Sequence, residues 1–248
     1  MAQWLDAQVT SRTDWNDHLF SLRFSCPGFP GFKAGQFAKI GLEIDGKVLS
    51  RPYSLVNGPD SDALEIIAVP VADGLLSPKL HELNPGDKLK VMAPPTGFLV
   101  LDEVPASRDL WLLATGTGVG PFLSILTTGQ AWQSYQNIVL VYAVRWLQDF
   151  AYMDLIKTWQ ATYPGRFHFV PVVSRESSAD CLQGHIPALL AKGEIQQKVG
   201  LAINSDDSQV MLCGNPAMIE DSVKQLSQFG LSKHLRRAAG QISMERYW

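Results

Sequence analysis

Cysteine is scarce: Cys26, Cys181 and Cys213 are the only three in 248 residues. An odd number at wide spacing excludes a disulfide framework, a structural zinc site and a cysteine-held iron–sulfur cluster. Long hydrophobic runs are missing too. No stretch approaches the roughly 18 apolar residues that span a bilayer, and residues 1–10 show no basic segment followed by an apolar one. The expectation is a reduced, cytoplasmic chain with no membrane partner. Nor is there an excess of positive charge. The 21 basic residues face 24 acidic ones, so the net charge is −3 and no global field attracts nucleic acid, which is not expected as a partner. The polar, highly charged signature of disorder is also absent, since 46% of the residues are hydrophobic and 18% charged. Internal repeats and low-complexity tracts are lacking as well.

What is present changes character near Leu101–Arg108. Before it, short segments rich in β-branched, aromatic and alternating apolar residues (Leu5–Thr10, Leu19–Ser25, Phe37–Leu42, Leu64–Val69, Lys88–Met92) are separated by turn clusters such as Cys26-Pro27-Gly28, Asp45-Gly46 and Asn84-Pro85-Gly86-Asp87. This spacing predicts an antiparallel barrel or sandwich over residues 1–100. After it, apolar strands (Leu110–Ala114, Ile138–Ala143, Phe167–Val173, Val210–Cys213) alternate with helices from about Val119, around Tyr152–Thr162, near Pro187–Ala191 and over Pro216–Phe229. That rhythm predicts a parallel α/β sheet over residues 101–248, with ligands beyond the carboxyl ends of its strands. The fold class is therefore α/β in two domains.

Candidate chemistry falls at those strand ends. Thr115-Gly116-Thr117-Gly118-Val119-Gly120-Pro121 joins the first strand to its helix. Its glycines let the backbone approach a diphosphate, and free amides at the helix start favour an anion. The spacing departs from the Gly-x-Gly-x-x-Gly dinucleotide fingerprint, so a merely tight strand-to-helix turn is the competing reading. The second strand runs into Arg145, and the third into Ser174-Arg175. An arginine at such positions suits the 2′-phosphate of NADP, where an acidic residue would suit NAD; two solvated surface arginines are the alternative. Cys213-Gly214-Asn215-Pro216 opens a helix with a plausible cap, and it also sets a small polarizable side chain where a flat ring would end. In the first half, Arg51-Pro52-Tyr53-Ser54 puts a cation and an aromatic plate on one strand face beside a hydroxyl, and Gly74-Leu75-Leu76-Ser77 is a turn leading into a helix; each is also compatible with ordinary barrel structure.

Taken in order, these motifs resemble the ferredoxin–NADP reductase family, most closely its bacterial NADPH–ferredoxin/flavodoxin branch, over nearly the whole chain. The resemblance implies FAD on the barrel and NADP(H) on the α/β domain, with hydride transfer between nicotinamide C4 and flavin N5. It implies that Tyr53 stacks on the isoalloxazine, Ser54 approaches N5 and Arg51 reaches the FAD diphosphate, with Pro52, Ala68, Val69, Gly74, Leu75, Leu76, Ser77 and Thr117 around the same cofactor. Tyr247 and Trp248, the last two residues, resemble terminal aromatics that cover FAD. Thr115, Gly116, Gly118, Val119, Gly120, Arg145, Ser174, Arg175, His185, Cys213 and Gly214 fall to NADP, and Cys213 joins Tyr53 and Ser54 as a candidate catalytic residue. His185 is a departure: bacterial relatives often carry arginine there, and histidine replaces a permanent charge by one that titrates.

The function implied is electron transfer between NADPH and a small one-electron carrier, ferredoxin or flavodoxin, by a monomer that holds no metal. A free flavin reductase or cytochrome b5-type reductase fits less well, given Arg145 and the Ser174-Arg175 pair. A non-enzymatic nucleotide-sensing module of the same fold is the competing class. The basic run Lys233, His234, Arg236 and Arg237 suits either an acidic carrier or plain solvation.

Overall fold

The computed structural model describes residues 2–246, and they divide into two compact units. The first takes the chain up to Val100 together with Gly120–Thr128; the second takes Leu101–Val119 and the chain from Gly129 onward.

In the first unit, β1 (Gln3–Asn16), β2 (Leu19–Ser25), β3 (Phe37–Ile44), β4 (Lys47–Ser54), β5 (Leu64–Ala68) and β6 (Lys88–Thr96) form an antiparallel sheet in the order β4-β3-β6-β1-β2-β5. Alternation makes the core. Phe20, Leu22 and Phe24 of β2 and Leu89, Val91 and Ala93 of β6 are buried, while Arg23 between the former is exposed and Lys90 and Met92 between the latter are half-buried. Asp45 and Gly46 both have positive φ (51° and 74°), as a two-residue hairpin between β3 and β4 requires. The two edge strands β4 and β5 meet, helped by Val56, whose N–H donates to Glu65 O at 2.9 Å. The short helix α1 (Ser77–His81) and α2 (Gly120–Thr127) complete this unit. Nearly every residue of α2 is buried, and Ser124 Oγ donates to Asn57 O at 2.6 Å.

The second unit is a parallel sheet in the order β10-β9-β8-β7-β11-β12. Its strands are β7 (Asp109–Thr115), β8 (Asn137–Val144), β9 (Phe167–Val173), β10 (Leu182–Gln183), β11 (Ser208–Gly214) and β12 (Ile242–Arg246). Around them lie α3 (Gly129–Ser134), α4 (Met153–Thr162), α5 (Ile186–Ala191), α6 (Glu194–Val199) and α7 (Pro216–Gln228). Every residue of β11 is buried, and so are Leu110–Ala114 of β7 and Ile138–Val144 of β8, the continuous burial of strands covered on both faces. Three features differ from the sequence reading. The helix expected from Val119 starts as a 3-10 turn over Gly116–Val119 and becomes α2 only at Gly120. The strand at Leu5–Thr10 extends over all of β1. And two strands beyond the four expected complete the sheet: β10, which pairs in parallel with β9, and β12, which pairs in parallel with β11 where only a terminal segment was expected.

Among the described residues, no helix is long and apolar enough to cross a membrane, and no three His, Cys, Asp or Glu side chains gather to hold a metal ion.

Candidate functional site

On the first unit the candidate residues lie on β4, β5 and α1. Register pairs Arg51 with Ile40 and Tyr53 with Ala38, so both side chains share a face of β4. Arg51 and Pro52 are exposed, Tyr53 is half-buried against the barrel core, and Ser54 is buried. Burial pushes the Tyr53 phenol up to about 12, with nearby Arg51 pulling weakly the other way, so the hydroxyl keeps its proton at neutral pH. Ala68, buried, ends β5, and Val69, half-buried, follows it.

The turn before α1 is braced from within. Gly74 N donates to Val71 O at 2.8 Å, and Val71 N donates to Ser77 Oγ at 3.0 Å. A Cβ on Gly74 would stand 3.0 Å from Val71 O and 3.2 Å from Ser77 Oγ, so a side chain there would push its neighbours apart by a few tenths of an ångström. Leu76 packs inward while Leu75 is exposed. The far end of α1 is held by Arg12, which donates to the carbonyls of His81 and Leu83 and pairs with Asp14.

On the second unit the candidates lie at the carboxyl edge of the sheet. Gly116 has φ +54°, and nothing lies within 4 Å of where its Cβ would point, so its backbone faces open space that a diphosphate can use. Thr117, Gly118, Val119 and Gly120 are buried beneath it. Gly118 has no such freedom, because a Cβ there would fall 2.5 Å from Cys213 O. Gly214 is equally constrained: φ is +132°, and a Cβ would meet Thr115 Oγ1 at 2.2 Å. The same Thr115 Oγ1 accepts a hydrogen bond from Asn215 N at 2.9 Å, tying the end of β7 to the start of α7, where Asn215 Oδ1 caps Ala217 N at 2.9 Å. Cys213 itself is fully buried.

Across the sheet, the strand order sets the glycine turn of β7 between two different groups of residues. On one side stand Arg145 after β8, Ser174 and Arg175 after β9, and His185 after β10; on the other stand Cys213 and Gly214 of β11. Arg145, Arg175 and His185 are exposed. Arg175 N donates to Arg145 O at 3.0 Å and Gly184 N to Val173 O at 2.9 Å, so the chain just before His185 is held at the end of β9. The residues present thus fit a dinucleotide lying along this edge, its phosphates over the turn and its extra phosphate among the cations.

Other candidates fall elsewhere. Tyr247 and Trp248 lie outside the described residues, although the pairing of Arg246 with Gly214 brings the chain to this edge just before them. The basic run does not join the site: Lys233 bridges Ile242, the first residue of β12, so Lys233, His234, Arg236 and Arg237 sit at the opposite, amino-terminal edge. Sequence reasoning missed the Thr115–Asn215 link and the buried Asn57, whose Oδ1 accepts from Glu65 N at 2.7 Å. Nothing in a single sequence reveals a bond between residues so far apart.

Residues 6–99 match the family model of an oxidoreductase FAD-binding domain, and residues 112–224 that of an oxidoreductase NAD-binding domain. The chain is 47% identical to a flavodoxin/ferredoxin–NADP reductase of Escherichia coli over the full length of both, and 37% identical to a ferredoxin–NADP reductase of Pseudomonas aeruginosa over 93% of this chain and 92% of that one. A crystal structure of a ferredoxin NADP+ reductase from Neisseria gonorrhoeae with bound FAD and NADP superposes with a TM-score of 0.94 at 31% identity, covering 99% of each chain.

Proposed function

This chain belongs to the flavodoxin/ferredoxin–NADP reductase family, and on that premise we propose a residue-level assignment of its two cofactors, with FAD held by the domain of residues 1–100 and NADP(H) by that of residues 101–248. The protein is an oxidoreductase that binds FAD and NADP(H) and transfers electrons between NADPH and ferredoxin or flavodoxin. The chemistry that FAD supplies when bound is the exchange between the two-electron couple of the nicotinamide and the one-electron couple of the carrier.

The chain's own residues bind and orient. Tyr53 offers a flat ring backed by the barrel core, and its protonated hydroxyl is a hydrogen-bond donor rather than a charge beside the flavin. Arg51 reaches the FAD diphosphate, the braced turn Gly74–Ser77 presents backbone amides to it, and Ser54 approaches the ring edge. Pro52, Ala68, Val69 and Thr117 complete the FAD contacts. On the other domain, Thr115, Gly116, Gly118, Val119 and Gly120 take the NADP diphosphate, and Arg145, Ser174, Arg175 and His185 take the 2′-phosphate. Gly214 and Cys213 flank the nicotinamide. The observation that carries the assignment is the strand order, which leaves the glycine turn with cations on one side and Cys213 on the other and so gives a dinucleotide one polarity along the edge. We further propose that the protein works as a cytoplasmic monomer.

The test is Tyr53→Ala in the FAD-loaded protein. Loss of the plate weakens FAD retention and changes the flavin absorbance spectrum. A folded variant with native FAD affinity and spectrum would remove Tyr53 from the flavin site. Steady-state reduction of purified ferredoxin against purified flavodoxin by the native protein then ranks the two carriers.

A further inference from the structure

The strand end that carries Arg145 also carries an aromatic side chain with no part in the assignment above. Trp146 keeps 40% of its surface in solvent and Leu147 41%. The other tryptophans among the described residues are buried or half-buried, as such large apolar groups ordinarily are.

The segment that presents Trp146 is fixed rather than loose. Ser174 N donates to Val144 O at 3.1 Å and Arg175 N to Arg145 O at 3.0 Å. Leu147 N donates to Glu176 Oε1, and Trp146 N donates to Asp149 Oδ2 at 3.2 Å. Three of these bonds stitch residues 144–147 to residues 174–176 beyond the last β8–β9 pair, Val144 with Val173. The two strand ends are thereby tied together through bends that carry two arginines, a serine hydroxyl and an indole, with Leu147 beside them and the Glu176 carboxylate taken up by Leu147 N. An exposed apolar side chain on a fixed segment that also carries exposed cations is the composition of a ligand site, where flat apolar surface supplies contact area and charge supplies orientation.

We propose that Trp146 is the platform on which the adenine of NADPH stacks while Arg145, Ser174 and Arg175 hold the 2′-phosphate of the same nucleotide. The proposal rests on the NADPH assignment of this edge and adds the subsite for the base. Its chemistry follows from the ligand: the base and the 2′-phosphate are substituents of one ribose, so a protein that grips the phosphate must leave a surface for the base close by. Arg145 and Trp146 are consecutive, and the indole is the largest aromatic face a side chain can offer. The bonds that fix the segment come from backbone amides to Asp149 and Glu176, so replacing the indole leaves them in place.

The experiment titrates the FAD-loaded protein calorimetrically with 2′,5′-ADP and with ribose 2,5-bisphosphate, the same ligand without its base. Native protein binds 2′,5′-ADP more tightly than the base-free ligand. Trp146→Ala weakens 2′,5′-ADP by roughly 5- to 150-fold, the range of base–aromatic stacking, and leaves ribose 2,5-bisphosphate unchanged; Trp146→Phe recovers most of the loss. The flavin spectrum of each variant reports that the fold is intact. Equal 2′,5′-ADP affinity in native and Trp146→Ala proteins overturns the proposal, as does a parallel loss for both ligands, which would make Trp146 a support for the phosphate site. If Trp146→Ala binds both ligands normally but reduces the carrier protein slowly, the indole belongs to a protein-docking surface and the proposal is wrong. Native protein that binds neither ligand overturns the NADPH assignment of the edge itself, an outcome distinct from the others.

Discussion

Gly214→Ala should unsettle the carboxyl edge of the second unit out of proportion to one methyl group. Two costs add. The residue sits at φ +132°, a region that side chains rarely adopt, which costs about 1–3 kcal/mol. The new Cβ would stand 2.2 Å from Thr115 Oγ1, 2.8 Å from Thr115 O and 3.1 Å from Thr115 N, so the hydroxyl must swing away and give up the bond it accepts from Asn215 N. Losing that bond costs about 0.5–1.5 kcal/mol. The sum, about 1.5–4.5 kcal/mol, corresponds to a fall in melting temperature on the order of 3–18 °C for a domain of this size. Thermal unfolding followed by circular dichroism measures it, and the NADPH KM of the surviving enzyme should rise because Thr115 and Gly214 are displaced together. Adding Thr115→Ala removes the hydroxyl clash but neither the φ strain nor the backbone contacts, so the double variant should recover only part of the loss. A Gly214→Ala protein that melts within a degree or two of the native one would refute the reasoning, and so would full recovery by Thr115→Ala.

Three further outcomes are expected. Neutralising Arg145 or Arg175 should raise KM for NADPH roughly 10- to 150-fold and change that for NADH little, since about 1.5–3 kcal/mol per charge-assisted bond is lost only where the 2′-phosphate exists; equal effects on both nucleotides would point to a folding defect. His185→Arg should tighten NADPH binding, because a guanidinium offers the 2′-phosphate a permanent charge and a planar set of donors; equal NADPH affinity in the two proteins would make His185 a bystander. His168 is held below the usual histidine value of 6.5 by burial, with Asp109 opposing weakly, and its Nε2 is buried without a hydrogen-bond partner. The unfolded chain therefore binds this proton more readily than the native one, so the stability present above about pH 6.5 is lost as pH falls, and His168→Phe should flatten denaturant midpoints measured across that window.

Much of this was legible before any coordinates. Leu19–Ser25 and Phe167–Val173 are strands with the bounds read from the sequence, because one alternates and the other is apolar but for His168, and turn residues close both. The glycine turn, Arg145 and Ser174-Arg175 were found because strand ends can be counted along the chain. β12 was not, since only Ile242 and Ser243 of its five residues are buried and no turn signal frames it. The basic run was readable as charge but not as position: its place at the amino-terminal edge depends on the pairing of β12 with β11. Trp146 was passed over because an aromatic residue beside an arginine says nothing about exposure.

The allegiance of α2 decides what can be exchanged between relatives. A recombinant joined at Val100 and Leu101 would follow the visible change in sequence character, yet it would pair the barrel of one parent with the α2 of the other. Ser124 would then have to find its acceptor at Asn57 of a foreign barrel, and Thr127 would have to fit against Gly58, where a Cβ would stand only 2.7 Å from Thr127 Oγ1. A transplant of the second half alone would carry along the apolar residues Phe122, Leu123, Ile125 and Leu126 without the core that buries them. The unit of inheritance for the barrel is thus discontinuous in the gene, and a functional chimera must take residues 120–128 from the same parent as residues 1–100.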